Sequence, residues 1–369
     1  MASDVYFVNQ RARNMDQNKV TKVRRLFDQA GFSTLIRDGG LTAIKIHFGE
    51  AGGDSFINPV LVRPVVDKIR ESGGKPFLTD SNGVYSGSRH NTVDHLETAI
   101  RHGFAYSVVD APVVIADGLF GENVQSVEIN LKHFQTAQIS GSIIKADSMI
   151  VLSHFKGHGM AGFGGAIKNL AMGCANAAGK REQHNMRPEV DPDKCEGCGT
   201  CVDVCPQLAI SLVAEKSVID RGKCIGCGEC MTVCPAKAIS VQFGGDLVEF
   251  TERLAEYALA AVRNKQDRVG YINYLLNVTP DCDCVPWSDA PIVPDVGLLA
   301  SRDPVALDQA SLDLVNKAAA IGDTLLDEDH RQFAGDKFKA IWPDTHGEHA
   351  LAYGEAIGLG TRAYNLITI

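Results

Sequence analysis

Eight of the chain's eleven cysteines fall into two copies of one spacing. The first copy is Cys195-x-x-Cys198-x-x-Cys201-x-x-x-Cys205-Pro206, and the second is Cys224-x-x-Cys227-x-x-Cys230-x-x-x-Cys234-Pro235. Each cysteine recurs 29 positions later (195 to 224), and eleven of seventeen residues agree between CEGCGTCVDVCPQLAIS and CIGCGECMTVCPAKAIS. Thiolates at this density bind soft metals, as iron–sulfur clusters or as structural zinc. Four cysteines closed by proline, twice over, is the spacing that ligates two [4Fe–4S] clusters, with the fourth cysteine of each run crossing to the other cube. One cube is therefore expected on Cys195, Cys198, Cys201 and Cys234. The other is expected on Cys224, Cys227, Cys230 and Cys205.

Three further segments carry more chemistry than a scaffold needs. Residues 153–169 read SHFKGHGMAGFGGAIKN and set His154, Lys156, His158 and Lys168 among glycines, directly after an apolar run at 149–152. Gly162, Gly164 and Gly165 would let backbone N–H groups approach an anion where a helix begins near Gly165. Lysine suits a phosphate or carboxylate, or covalent attachment of a carbonyl compound, so Lys168 and His158 form the expected catalytic pair. Residues 279–289 contain Cys282-Asp-Cys284. In an extended segment both thiols point one way and could hold a further metal, whereas a disulfide across one residue is strained. The third segment joins KIHFGE (45–50) to TDSNGVY and Arg89-His90. The alternation that buries Ile44 and Ile46 sends Lys45 and His47 to the opposite face, and His47 is the third expected catalytic residue. His102, His133, His330, His346 and His349 read as surface or structural.

The 369 residues are 45% hydrophobic and 22% charged, with a net charge of −9. No basic block stands out, which argues against a nucleic-acid partner or an anionic membrane surface. No apolar run approaches the roughly 20 residues that span a bilayer. The N-terminus runs straight into a strand without a signal segment, and cluster thiols must stay reduced, so a cytoplasmic location in a low-oxygen host is expected.

The elements that position these groups alternate. Val5–Val8 reads as a strand, followed by a helix with Val20, Val23 and Phe27 on one face. Leu41–Phe48, Phe77–Leu78, Met149–Leu152 and Val269–Val278 read as further strands. Helices are expected from Pro59, with Val62, Val66 and Ile69 buried, over Leu247–Val262, and from the Asp303-Pro304 cap. This rhythm predicts an α/β fold, a two-lobed, mostly parallel sheet with helices on both faces. Residues 1–187 form the α/β lobe with the glycine-rich loop. Residues 188–243, bracketed by Arg187-Pro188 and Gly244-Gly245, form an inserted ferredoxin-like domain with two [4Fe–4S] clusters. Residues 244–369 complete the main domain.

Together KIHFGE, LTDSNGVYSGSR (78–89), SHFKGHGMAGFGGAIKNLAMGCA (153–175), the paired cysteine runs, NVTPDCDC (277–284) and DVGLLASRDPVALDQASLDL (295–314) resemble the uncharacterised iron–sulfur-centre proteins grouped as domain of unknown function 362. That resemblance spans nearly the whole chain and implies the architecture and clusters, not a reaction. His158-x-x-Ala161-Gly162-Phe163-x-Gly165-x-x-Lys168 also looks like the loop of the lactate racemase family. That likeness implies a metal-organic cofactor, a nickel-pincer nucleotide anchored by Lys168, with nearby histidines as proton carriers and His184 at a spacing for the nickel ligand. Racemases of that family carry no ferredoxin insert and no Cys-x-Cys.

The expected function is electron transfer or redox catalysis, two clusters feeding a pocket between the lobes that takes a small anionic ligand, with a redox partner protein outside. The alternatives are a metal-cofactor isomerase or racemase, or an accessory carrier of electrons or metal for a larger enzyme.

Overall fold

The computed structural model describes residues 2–84, 87–184, 187–205, 207–224, 230, 233–242, 247–265, 267–326 and 335–369. Tyr85, Pro206, the expected cluster ligand Cys227, the glycine pair at 244–245 and His330 lie outside the described residues.

Eight strands form one sheet: β1 (Ser3–Asn9), β2 (Leu41–Lys45), β3 (Lys75–Asp80), β4 (Val113–Ile115), β5 (Ser148–His154), β6 (Val269–Leu275), β7 (Gly297–Ser301) and β8 (Tyr364–Thr368). Their order is β8-β1-β7-β6-β5-β2-β3-β4. Every neighbouring pair is parallel except those made by β7, which runs against both β1 and β6. The chain is thus a mixed α/β protein with a mostly parallel sheet. The expected two lobes are halves of this one sheet, because β1 lies between β7 and β8 and ties the chain's beginning to its end.

The central strands β5 and β6 are buried at every position. Helices on both faces explain this, since a parallel sheet buried on two sides needs apolar residues in both registers. On one face Ile44, Ile150, Leu152 and Ile272 pack under α1 (Lys19–Gln29) and α2 (Arg63–Glu71). On the other, Ala43, Met149, Val151 and Tyr271 pack under α3 (Ala166–Cys174), α5 (Leu247–Val262) and α6 (Pro304–Lys317). Between α3 and α5 runs α4 (Ala177–His184).

Two local expectations need correction. Val20 is exposed, because Val23, Leu26 and Phe27 set the phase of α1. Lys22 joins the buried side instead, its ammonium donating to the carbonyls of Asn9 and Arg11 at 2.6 Å each. The strand expected over 41–48 ends at Lys45, and the backbone beyond it is held by Ile46 N donating to Thr79 O at 3.1 Å.

The cysteine-rich segment leaves this sheet. Arg187–Val190 pairs antiparallel with Ile239–Gln242, so its two ends meet, and Ile210–Val213 pairs with Lys216–Ile219 between them. No helix among the described residues is long and apolar enough to cross a membrane.

Asp303 closes the fold. One carboxylate oxygen accepts from Val305 N and Ala306 N at 2.9 and 3.0 Å, capping α6. The other accepts from Ser3 Oγ at 2.8 Å and Thr361 N at 2.9 Å, joining the entries to β1 and β8. Asp303→Ala removes a cap and leaves partners unpaired, so a loss of about 2–4 kcal/mol is expected. Urea denaturation of the variant and the parent protein measures it. An unchanged midpoint would remove this carboxylate from the forces closing the sheet.

Candidate functional site at the carboxyl edge of the sheet

Parallel strands deliver their carboxyl ends to one edge, where open α/β sheets bind ligands. Here β6, β5, β2 and β3 stand side by side and end at Leu275, His154, Lys45 and Asp80. The segments that follow are stitched together over that edge. Gly157 N donates to Thr279 O at 2.8 Å, and Glu50 N donates to Asp283 O at 3.0 Å.

Asp283 is the buried centre of this edge. It faces His154 Nδ1 at 2.9 Å, Lys156 Nζ at 3.4 Å and Ser55 Oγ at 2.7 Å. Burial alone would raise its pKa, but the His154 and Lys156 charges outweigh that and hold the carboxyl well below its ordinary range. His154 in turn lies 2.9 Å from the carbonyl of Leu276 through Nε2. A cavity of about 40 Å³, room for one or two waters, opens here among His47, Ser153, His154, Lys156, Lys168 and Asn169.

Beside it, one ligating atom each from His158, Cys282 and Cys284 lie within 4.8 Å of one another. The Cys-Asp-Cys segment is a turn and not the extended run expected, closed by Val285 N donating to Cys282 O at 3.1 Å. Lys168 Nζ donates to Cys282 Sγ at 3.3 Å. The hydrogen bond from Cys284, helped by the Lys168 and Lys156 charges, holds Cys282 well below the ordinary thiol range, although burial opposes it. The same bond, burial and the neighbouring negative charge push Cys284 well above that range. Burial would lower Lys168, but the facing Cys282 and Cys284 charges keep its pKa above the ordinary value.

His158, His47 and His184 are held neutral. Burial takes His158 well below its ordinary range, reinforced by Lys168. Burial likewise lowers His47, reinforced by Arg89. His184 falls to about 3 through burial and the charges of Lys168 and Lys180. Backbone N–H groups fix two of these rings: Gly49 N donates to His47 Nδ1 at 2.8 Å, and Met160 N and Ala161 N donate to His158 Nδ1 at 3.2 and 3.1 Å.

The structure thus brings Lys168, His158, Cys282 and Cys284 into contact range, sets His47 on the same cavity as Lys168, and keeps His184 within reach of the Lys168 charge. The glycines have separate tasks. A Cβ on Gly164 would stand 3.1 Å from Lys168 Cδ, so its absence lets that side chain pass towards the cavity. The helix start at Gly165 is not open to an outside anion: Asp308 accepts from Ala166 N and Ile167 N at 2.8 and 2.9 Å and serves as the anion itself. Burial raises Asp308 to about 6, although Ile167 N and Asn273 oppose that shift.

Several contributors were not visible in the sequence. Lys45, expected merely to face away from the core with His47, is fully buried against Asp80 at 2.9 Å. Its ammonium also donates to Asn169 Oδ1 at 2.6 Å, one residue from Lys168. Lys180 donates to Ser81 Oγ at 2.9 Å, and burial lowers it to about 8. The signal for Asp308 was present: a carboxylate among Leu307, Ala310 and Leu312 on an apolar face needs a partner.

In the cysteine segment, Cys201 and Cys230 are buried with Ile210 and Ile239, and Cys205 and Cys234 pack against them. The two halves repeat and cross. Asp191 N, leading into the first run, donates to Ala238 O after the second, and Asp220 N donates to Ala209 O after the first, both at 2.7 Å. Backbone N–H groups point at three thiols: Ser217 N at Cys195 (3.4 Å), Ala209 N at Cys205 (3.2 Å) and Ala238 N at Cys234 (3.3 Å).

A mostly parallel sheet with basic and thiol groups along one edge defines the class. The chain belongs to the family described as Domain of unknown function (DUF362), whose profile matches residues 42–313. Among solved structures it is similar to the lactate racemase apoprotein from Thermoanaerobacterium thermosaccharolyticum, at 12% identity and a TM-score of 0.38, over 74% of this chain and 51% of that one. It is also similar to a Thermotoga maritima protein, at 10% identity and a TM-score of 0.41, over 84% of this chain and 61% of that one. The chain thus spans about half and three fifths of their lengths. No curated protein matches.

Asp308 provides a pH test. A carboxyl whose folded pKa of about 6 exceeds its unfolded value of about 3.9 contributes stability below about pH 4 that is lost as pH rises through 6. Asp308→Asn should flatten this part of the profile, read from denaturation midpoints between pH 4 and 7. A variant that keeps the parent's slope there would assign the slope to other groups.

Proposed function

We propose that this chain is an iron–sulfur protein whose two [4Fe–4S] clusters exchange electrons with a small anionic ligand at the carboxyl edge of the sheet. The observation that carries the reading is the crossed backbone pairing of the two cysteine runs. Asp191–Ala238 draws the tail that bears Cys234 to the loop of Cys195, Cys198 and Cys201. Asp220–Ala209 draws the tail that bears Cys205 to the entry of the second run at Cys224. This is the juxtaposition that a crossing fourth ligand needs. The N–H groups aimed at Cys195, Cys205 and Cys234 are donors of the kind that tune cluster thiolates.

The clusters supply one-electron transfer. The chain's own residues do the rest. Lys156 and Lys168 line the cavity as cations for an anion, and Asp283 with His154 holds the first of them in place. His158 and His184, kept neutral, add no charge of their own beside Lys168. Neutral imidazoles are common metal ligands, and these two favour a second reading, a metal-cofactor isomerase. Turnover that survives bleaching of the clusters would select that reading.

Anaerobically purified protein should contain about eight iron and about eight sulfide per chain. Cys205→Ser should disturb the cube of the second run and leave that of the first, reducing iron to about four. Two zinc per chain without sulfide would overturn the proposal.

A further inference from the structure

The geometry points to a mononuclear site for a soft divalent metal on Cys282, Cys284 and His158, separate from the paired cysteine runs and independent of them. Three donors of zinc type lie within 4.8 Å of one another, close enough for one ion to draw them in. Two thiolates and an imidazole are a zinc ligand set that leaves a fourth position open, the arrangement of catalytic and not structural zinc. The turn from Cys282 to Val285 presents both thiols to one point, while Asp283 between them is turned to His154 and Lys156. An alternative fate, a disulfide between cysteines one residue apart, is disfavoured by its strained geometry.

The three donors are unequal. Met160 N and Ala161 N hold His158 Nδ1 as an acceptor, so the neutral ring carries its proton on Nε2. Metal-bound histidines normally donate their second N–H to an acceptor. His158 lacks that support, and ligation through Nε2 requires its proton to move to Nδ1 at the expense of the Met160 and Ala161 bonds. The two thiolates are therefore the anchors, and His158 is the weaker third ligand.

Charge then assigns the fourth position. A divalent ion with two thiolates is neutral. Lys168, 3.3 Å from Cys282 Sγ, adds a positive charge at the rim and is itself a hydrogen-bond donor and not a ligand. Lys168 also lines the small cavity with Lys156 and His47, so the metal and the cavity share a wall. The open position therefore takes an anionic oxygen ligand, a carboxylate in the simplest case, with Lys168 bonded to it or to the thiolate beside it.

Zinc is the probe, because it is redox-silent and distinguishable from cluster iron. Full-length protein, purified anaerobically, is chelator-treated, titrated with zinc and desalted, and its metal is counted. Wild type should retain one zinc more than Cys282→Ser/Cys284→Ser. X-ray absorption at the zinc edge should show two sulfurs near ~2.3 Å and nitrogen near ~2.0–2.1 Å. His158→Ala should keep both sulfurs but bind about 10–100-fold more weakly. Cys284→Ser alone, which keeps the Cys282–Lys168 contact, should already lose one sulfur and serves if the double variant fails to fold. Equal zinc in wild type and the cysteine variants, or a zinc site without sulfur, would overturn the proposal. Unchanged affinity in His158→Ala would overturn the three-donor assignment. Because the comparison isolates one zinc equivalent, it remains decisive even if the paired runs are found to hold no iron.

Discussion

The site rests on one buried carboxylate. Asp283 lies where water cannot solvate its charge, and an unpaired ion there would cost several kcal/mol. Asp283 itself sits in the turn after β6, and among the described residues its partners are His154 at the end of β5, Lys156 just past it, and Ser55 from the segment after β2. Meeting that one requirement fixes three crossings of the sheet edge relative to each other. The Cys282 and Cys284 thiols, flanking the carboxylate, inherit their position from it.

A second buried pair extends the order along the edge. Lys45 and Asp80 end adjacent strands, and Lys45 also reaches Asn169 on α3. Asn169 returns two bonds to β5, to Leu152 O at 2.9 Å and Ser153 Oγ at 3.0 Å. The helix that carries Lys168 is thus anchored to two strands by polar contacts within a mostly apolar layer. Its amino end is held by Asp308. Lys168 projects from a turn fixed at both sides, the preorganisation a ligand-binding cation needs.

What could be read from the sequence followed from local rules. The helix over Leu247–Val262 and the Asp303-Pro304 cap are legible because periodicity and capping act within a few residues. The strands at 148–154 and 269–275 are legible because buried parallel strands are apolar in both registers. The grouping of Lys168, His158 and the two cysteines was inferable from each segment following a strand. The illegible parts depend on distant partners. Nothing near Lys45 announces that Asp80 will neutralise it, and nothing near Gly165 announces that Asp308, 143 residues later, will fill the helix start. A glycine-rich loop before a helix looks the same whether its anion comes from outside or from the protein.

The cysteine segment and the sheet edge are connected through its root. The segment departs just after His184 ends α4 and returns just before α5 begins at Leu247. His184 stacks on Phe250, four residues past the last position outside the described structure there, with ring centroids 5.2 Å apart. That stack joins α4 to α5 at the root of the segment, beside the ladder of 187–190 with 239–242. Burial, with the Lys168 and Lys180 charges, lowers the same histidine. The root of the thiol-rich segment thus lies within electrostatic reach of Lys168, which also lines the cavity.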